Sequence, residues 1–330
     1  MEYRTIGKTG VQVSPLCFGT MPFGGLADEE MSRKMFKKAL ERGINFFDSA
    51  DVYNEGRSEE LLGKFMQENN CRDELVITSK VFGKTAADVN AKGLSRRHIK
   101  VGVEESLKRL KTDRIDFYFV HSFDSKTDMI QTLRVMDDLV KEGKILYPAV
   151  SNWAAWQIEK ALGISRRESL SRFECVQPMY NLAKRQAEVE ILPMAEAENL
   201  GVVSYSPLGG GLLTGKYGKD KRPNKGRLVD REDYAARYGL NQYYQIAEDF
   251  SHHANKRGVD PASLAVAWVM SNPVITAPII GARNLEQLKG SLGALDIEMT
   301  EQWRNEITDI SITPPPATDR LEEQKNLSYF

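Results

Sequence analysis

Asp48, Tyr53, Lys80 and His121 sit at or just past the short apolar runs INFFD, ELVITSK and IDFYFVH. A carboxylate, a phenol, an ammonium and an imidazole can together deliver a proton to a carbonyl oxygen. Adding a hydride to a carbonyl builds negative charge on oxygen, so such a site needs an acid and a charge stabiliser. A free phenol has a pKa of about 10, too high for easy proton release near neutrality. A neighbouring ammonium favours the phenolate and lowers that value. Lys80 can serve as the ammonium, Asp48 can hold it charged, and His121 can donate a hydrogen bond to the substrate oxygen. Taken singly, each residue has a plainer reading as a turn former, a packing ring or a solvated loop residue.

The elements around them decide between these readings. Runs at 16–20, 44–48, 75–80, 115–121, 145–151, 173–178, 202–205 and 275–280 read as buried strands. Amphipathic stretches alternate with them, for example at 29–41, 58–67, 95–110, 127–141 and 187–199, with apolar residues at three- and four-residue spacing. Ser58 is placed to cap the helix opened by Glu59 and Glu60. Gly43, Gly143 and Gly201 each stand where a left-handed C-cap would end a helix. Strand followed by helix, eight times over, predicts an α/β (β/α)8 TIM barrel. Before it comes an N-terminal β-hairpin over 2–13, turning at Lys8-Thr9-Gly10. A long loop over 209–239 follows strand seven, an extra C-terminal helix follows the barrel, and an extended tail starts at about 313. One domain then spans 1–330, and the quartet gathers at the strand ends where barrel enzymes keep their chemistry.

Composition narrows the partners. The chain has 330 residues, 41% hydrophobic and 28% charged, with a formal net charge of −1. That balance suits a globular protein and offers no global field to nucleic acid or an anionic membrane. Cys17, Cys71 and Cys175 are odd in number and widely spaced, which fits a reducing compartment. With no basic-then-apolar leader and no apolar run near the roughly 20 residues of a spanning helix, the expectation is a soluble, cytoplasmic protein. Asn326-Leu327-Ser328 matches a glycosylation acceptor, read as chance in a chain without an export signal. His252 and His253 diverge by about 100° on a helix, and no His-Glu-x-x-His or paired Cys-His spacing occurs, so no metal is expected.

The chain resembles the aldo-keto reductase superfamily over nearly its whole length, in particular its bacterial and potassium-channel β-subunit branch. The resemblance rests on Asn45-Phe46-Phe47-Asp48-Ser49-Ala50-Asp51-Val52-Tyr53, Gly56-Arg57-Ser58-Glu59, Ile77-Thr78-Ser79-Lys80, Asp113-Arg114-Ile115-Asp116 and the strand ending at His121. It implies that Tyr53 is the general acid, that Lys80 and Asp48 tune it, and that His121 orients the carbonyl. The reaction implied is reduction of an aldehyde or ketone, or the reverse oxidation. The channel β subunits keep the redox residues while acting mainly as regulatory partners, so a cofactor-bound redox sensor or scaffold with slow turnover is the alternative.

No side chain encodes a hydride donor, so a nicotinamide cofactor is required. No strand–Gly-x-Gly-x-x-Gly–helix unit is present to hold one in the Rossmann manner. The segment 210–216 has P-loop spacing, but Tyr217 stands where Ser or Thr must bind magnesium. The resemblance assigns the same segment to a clasp on the cofactor pyrophosphate. Tyr205 would stack on the nicotinamide, with Ser206, Pro207, Leu208, Gly211, Lys216 and Arg227 along the phosphates. Ser151, Asn152 and Gln177 would hold the carboxamide, and Gly19, Thr20 and Met21 would approach the ring, as would Asp48. Ile280, Gly281, Ala282, Arg283, Gln287 and Ser291 would complete the site, with Arg283 on a 2′-phosphate. NADP(H) is therefore preferred, with NAD(H) also admissible, since Gly290 and Ser291 replace the acidic residue and asparagine common in the family. Pro148 also departs from the family and removes a ladder donor from a central strand. Phe82, Phe123 and Tyr234 are placed to line a substrate pocket, while Trp153, Trp156, Trp268 and Trp303 read mainly as packing residues.

Overall fold

The computed structural model describes residues 1–318. Its strands are β1 (Arg4–Thr5), β2 (Gln12–Val13), β3 (Cys17–Gly19), β4 (Phe46–Asp48), β5 (Val76–Val81), β6 (Ile115–Val120), β7 (Ile145–Ser151), β8 (Cys175–Gln177), β9 (Gly201–Val202) and β10 (Ile279–Ile280). β1 and β2 form the antiparallel hairpin, and the other eight run parallel in the order β10-β3-β4-β5-β6-β7-β8-β9. The ends of that row meet: Thr276 N donates to Val202 O and Ile279 N to Ser204 O, each at 2.8 Å. The sheet is thus a closed (β/α)8 barrel.

The helices are α1 (Glu29–Glu41), α2 (Arg57–Asn69), α3 (Arg96–Leu110), α4 (Met129–Lys141), α5 (Ala155–Glu168), α6 (Ile191–Ala197), α7 (Arg227–Asp230), α8 (Glu232–Tyr238), α9 (Asn241–Lys256), α10 (Pro261–Met270), α11 (Leu285–Leu292) and α12 (Glu301–Thr308). Strand alternation divides the core in two. Phe46, Val76, Phe117, Phe119, Ala149 and Cys175 fill the barrel, and Ile6 and Val13 of the hairpin join them as a plug at its base. Phe47, Ile77, Val81, Tyr118 and Val120 face outward into the layer beneath the helices. The same period of two puts Asp48 on the inner face after Phe46, and Thr78 and Lys80 after Val76.

Several details differ from the sequence expectation. Gly43 and Gly143 have φ of 77° and 71°, as a left-handed C-cap needs, but before β9 Asn199 takes that role at φ 52°. Gly201 is small for another reason: a Cβ there would stand 2.2 Å from Ile6 Cγ2 of the plug. Ser58 does not cap α2. Gly56, at φ 88°, precedes the helix, and the Ser58 hydroxyl is buried, donating to Thr20 O at 2.8 Å. Glu59, expected at the start of that helix, is fully buried and paired with Arg109 at 2.7 Å. The segment 209–239 is not structureless, since α7 and α8 fold within it. Pro148 costs the sheet little. Its carbonyl accepts from Glu174 N at 3.0 Å, so its nitrogen faces that same side, ahead of the first residue of β8. The acceptor motif 326–328 lies outside the described residues.

α2 and α3 touch through Gly63, where an added Cβ would come within 2.5 Å of Arg109 O and 2.6 Å of Leu110 O. Helix propensity favours alanine over glycine by about 1 kcal/mol, while overpacking against backbone costs about 1–3 kcal/mol. Gly63→Ala is therefore expected to lower the urea midpoint. An unchanged midpoint would refute this account of the helix contact.

Candidate active site

Lys80 lies at the centre of the site. Its ammonium is fully buried and donates to Asp48 Oδ2 at 2.6 Å, Ser49 O at 2.6 Å and Tyr53 Oη at 3.3 Å. Asp48 is 2% exposed, and its other oxygen accepts from Thr78 Oγ1 at 2.7 Å and Gln177 Nε2 at 2.9 Å. Every ammonium proton thus has an acceptor, and both carboxylate oxygens are engaged, which is what lets an ion pair persist out of water. The backbone past Tyr53 is unusual. Asn54, Glu55 and Gly56 all have positive φ, at 50°, 57° and 88°. Asn54 Nδ2 ties this bend to Met21 O and Phe23 O, each at 2.8 Å. Strained backbone of this kind survives where surrounding contacts over-determine it.

The electrostatics modify one expectation. Burial raises the Tyr53 phenol above its ordinary value and outweighs the opposing pull of Lys80, so the phenol is not brought down in this state. Burial pulls Lys80 down, but Asp48 and then Tyr53 more than reverse it, and the ammonium is held above its usual range. His121 is pushed down to about 3 by burial and then by the Lys80 charge, so its ring is neutral. Its centroid lies 6.1 Å from that of Tyr53, edge to face. A protonated phenol, a permanent cation and a neutral imidazole at one cleft wall can deliver one proton and hold the charge left behind.

The cleft, about 1660 Å³, runs from these groups across the top of the barrel. It brings together Gly19, Met21, Asp48, Tyr53, His121, Ser151, Asn152, Gln177, Tyr205, Ser206, Pro207, Leu208, Gly211, Lys216, Arg227, Tyr234, Ile280, Gly281, Ala282, Arg283 and Gln287. Asn152 donates to His121 O at 2.9 Å and accepts from Tyr205 Oη at 2.8 Å, joining two of the predicted groups. α5 starts after Ala154, so neither Ser151 nor Asn152 caps it. Five predicted residues lie off the cleft wall, the first being Lys80, fully buried beneath it. Thr20 is buried and bonds Asp48 O, Ser291 is buried, and Phe82 and Phe123 pack against the core, Phe123 on Trp153 at 5.1 Å.

At the far end, Gly210 and Gly211 turn through φ of 68° and 101°, and a Cβ on Gly210 would stand 2.8 Å from Tyr234 Cδ1. Lys216 is held below its ordinary value by burial, then by Arg283 and Arg227. Among the described residues none of these three cations has an ion pair. Like charges gathered beside glycine backbone fit a phosphate-bearing nicotinamide cofactor.

Sequence reasoning missed Gly226 and Arg237 on this wall, and it missed Asp51 behind it. Asp51 is 3% exposed, and neither carboxyl oxygen has a partner among the described residues. It is pushed up to about 7 by burial and then by Glu59, against weaker pulls from Arg109 and Lys80. Asp51 stands inside the quoted motif, but nothing in its spacing marks it as buried. Arg237 falls just past the basic stretch 216–231 and offered no motif.

Comparison with known proteins agrees with the geometry. The model of the Aldo/keto reductase family matches residues 15–312. The oxidoreductase YrpG of Bacillus subtilis, itself uncharacterized, is 38% identical over 94% of this chain and 96% of its own. A probable voltage-gated potassium channel subunit beta of Arabidopsis thaliana is 35% identical over 98% and 96%. Norsolorinic acid reductase B of Dothistroma septosporum is 31% identical over 93% and 81%.

Asp51 yields a pH test. The unfolded chain gives up this proton near pH 4 and the folded chain only near 7, so its contribution drains away between those values, by roughly 4 kcal/mol. The stability of Asp51→Asn relative to wild type should rise between pH 5 and pH 8 in denaturant titrations. A gap independent of pH would contradict the buried protonated acid.

Proposed function

The chain belongs to the Aldo/keto reductase family, a family of NAD(P)H-dependent oxidoreductases, and on that footing we propose that it reduces an aldehyde or ketone with Tyr53 as the proton donor. The observation that carries this is the contact of Lys80 Nζ with both Asp48 and Tyr53. When bound, the nicotinamide supplies a hydride to the carbonyl carbon. The proton leaves Tyr53 Oη for the carbonyl oxygen, and the phenolate left behind is stabilised by Lys80, which Asp48 keeps charged. His121, neutral in its buried seat, donates a hydrogen bond to the same oxygen and steers it. Alcohol oxidation uses the same groups in reverse.

Gln177 and Asn152 would hold the carboxamide and Tyr205 the nicotinamide ring. The glycine turn with Lys216 and Arg227 would receive the pyrophosphate. Arg283, beside the N-terminus of α11, would meet a 2′-phosphate, which favours NADP(H). Tyr234 would border the substrate. A sensor or scaffold role with slow turnover is the second reading, favoured by the 35% identity to a protein named as a probable channel subunit. Repeated NADPH consumption with aldehydes supports the enzyme, and a single slow turnover supports the sensor.

A positioned general acid is worth about 10²–10⁴-fold in rate. Tyr53→Phe should lose that factor in kcat while NADPH still quenches the intrinsic fluorescence with near wild-type affinity. Activity within a few-fold of wild type would remove Tyr53 from its role. Arg283→Gln should raise the KM for NADPH by about 10-fold or more, the worth of a charge-assisted contact, with little effect on NADH. An equal change for both cofactors would place the 2′-phosphate elsewhere.

A further inference from the structure

Lys216 responds to Arg283 and Arg227, and these make up the phosphate end. Arg237 is absent from the charges acting on Lys216. It acts instead on Tyr205 and Tyr238, and its guanidinium carbon lies 5.1 Å from the ring centroid of Tyr234. Tyr234 in turn is felt by Tyr53. Arg237 lines the cleft together with Tyr53, His121, Tyr205 and Tyr234. Its charge therefore stands on the Tyr234 ring, which borders Gly210 on one side and acts on Tyr53 on the other.

That charge is not compensated among the described residues. Asp233, one helical turn earlier on α8, is taken up by Arg231 through bonds of 2.9 and 3.0 Å. Among the described residues Arg237 has neither an ion pair nor a hydrogen bond. Arg227 lies over the same tyrosine ring at 5.0 Å and adds to the local positive potential, while Arg231, at 5.6 Å, is neutralised by Asp233. A half-buried guanidinium held over an aromatic face keeps its planar fork of donors free for a partner. The matching partner is a carboxylate, with its two coplanar oxygens.

We propose that Arg237, seated on Tyr234, selects carbonyl substrates that carry a carboxylate, so that the preferred substrates are acidic aldehydes or ketones. The inference rests on the reductase reading above and names its substrate class. Arg237 acts on the remote carboxylate, leaving the carbonyl to Tyr53 and His121.

The test compares kcat/KM for 4-carboxybenzaldehyde and benzaldehyde with saturating NADPH. Wild type should prefer the acidic aldehyde by about 10-fold or more. Arg237→Gln should collapse that ratio, mainly through KM for the acidic aldehyde, and Arg237→Lys should restore part of it. Because the readout is a ratio within one preparation, a partly unfolded variant does not distort it. A wild-type ratio near one, or a ratio unchanged in Arg237→Gln, overturns the inference while leaving the reductase reading intact. A KM for NADPH that rises in Arg237→Gln as the ratio stays fixed overturns it too, by assigning the guanidinium to the cofactor. Turnover of neither aldehyde by wild type overturns the reductase reading itself.

Discussion

A lysine ammonium and an aspartate carboxylate, 2.6 Å apart and almost entirely out of water, set the conditions for everything around them. Burying two charges costs several kcal/mol per ion unless each is fully engaged. Lys80 therefore needs Ser49 O and Tyr53 Oη as well as Asp48, and Asp48 needs Thr78 and Gln177. Those requirements fix β4, β5 and β8 relative to one another and hold the phenol beside a permanent cation. The tight bend of left-handed residues after Tyr53 is held separately, by Asn54 Nδ2 on Met21 O and Phe23 O.

The cleft then separates two kinds of chemistry. At Tyr53 itself Lys80 is compensated by Asp48 and His121 is neutral, so charge appearing on a substrate oxygen would find a prepared setting. Along the glycine turn the cations have no ion pair among the described residues, and Lys216 is depressed by burial and then by Arg283 and Arg227, an arrangement that an anion would relieve. The proposed hydride donor spans both ends. Asp51 adds a cost beneath this floor. A buried carboxyl with no partner among the described residues holds its proton up to about pH 7, close to the loop on which Tyr53 is carried.

Much of this was legible in the sequence, for physical reasons. Period-two alternation in VITSKV puts Lys80 on the barrel face of β5, and the repeated strand–helix rhythm puts four chemical groups at one rim. α1 falls on 29–41, as its spacing predicts, since its amphipathic face and its caps agree. Other features depended on distances that spacing does not encode. Ser58 fits a cap by type, but the barrel rim claims its hydroxyl. Lys80 should lower Tyr53 by proximity, but burial of the phenol outweighs it, and depth is not written in a motif. Gly201 fits a C-cap by position, although it is the hairpin plug, nearly 200 residues earlier in the chain, that requires it to be small. Segment 209–239 read as loop because its helices are short, and Arg237 went unseen with it.

The central claim, that the Asp48–Lys80 pair governs proton delivery by Tyr53, is tested most directly by removing the pair without leaving a buried unpaired charge. Single-turnover NADPH oxidation by Asp48→Asn/Lys80→Met, at saturating aldehyde, does this with Tyr53 intact. The account predicts a rate about 10²-fold or more below wild type in a protein that still folds and binds NADPH. A rate within a few-fold of wild type would contradict it.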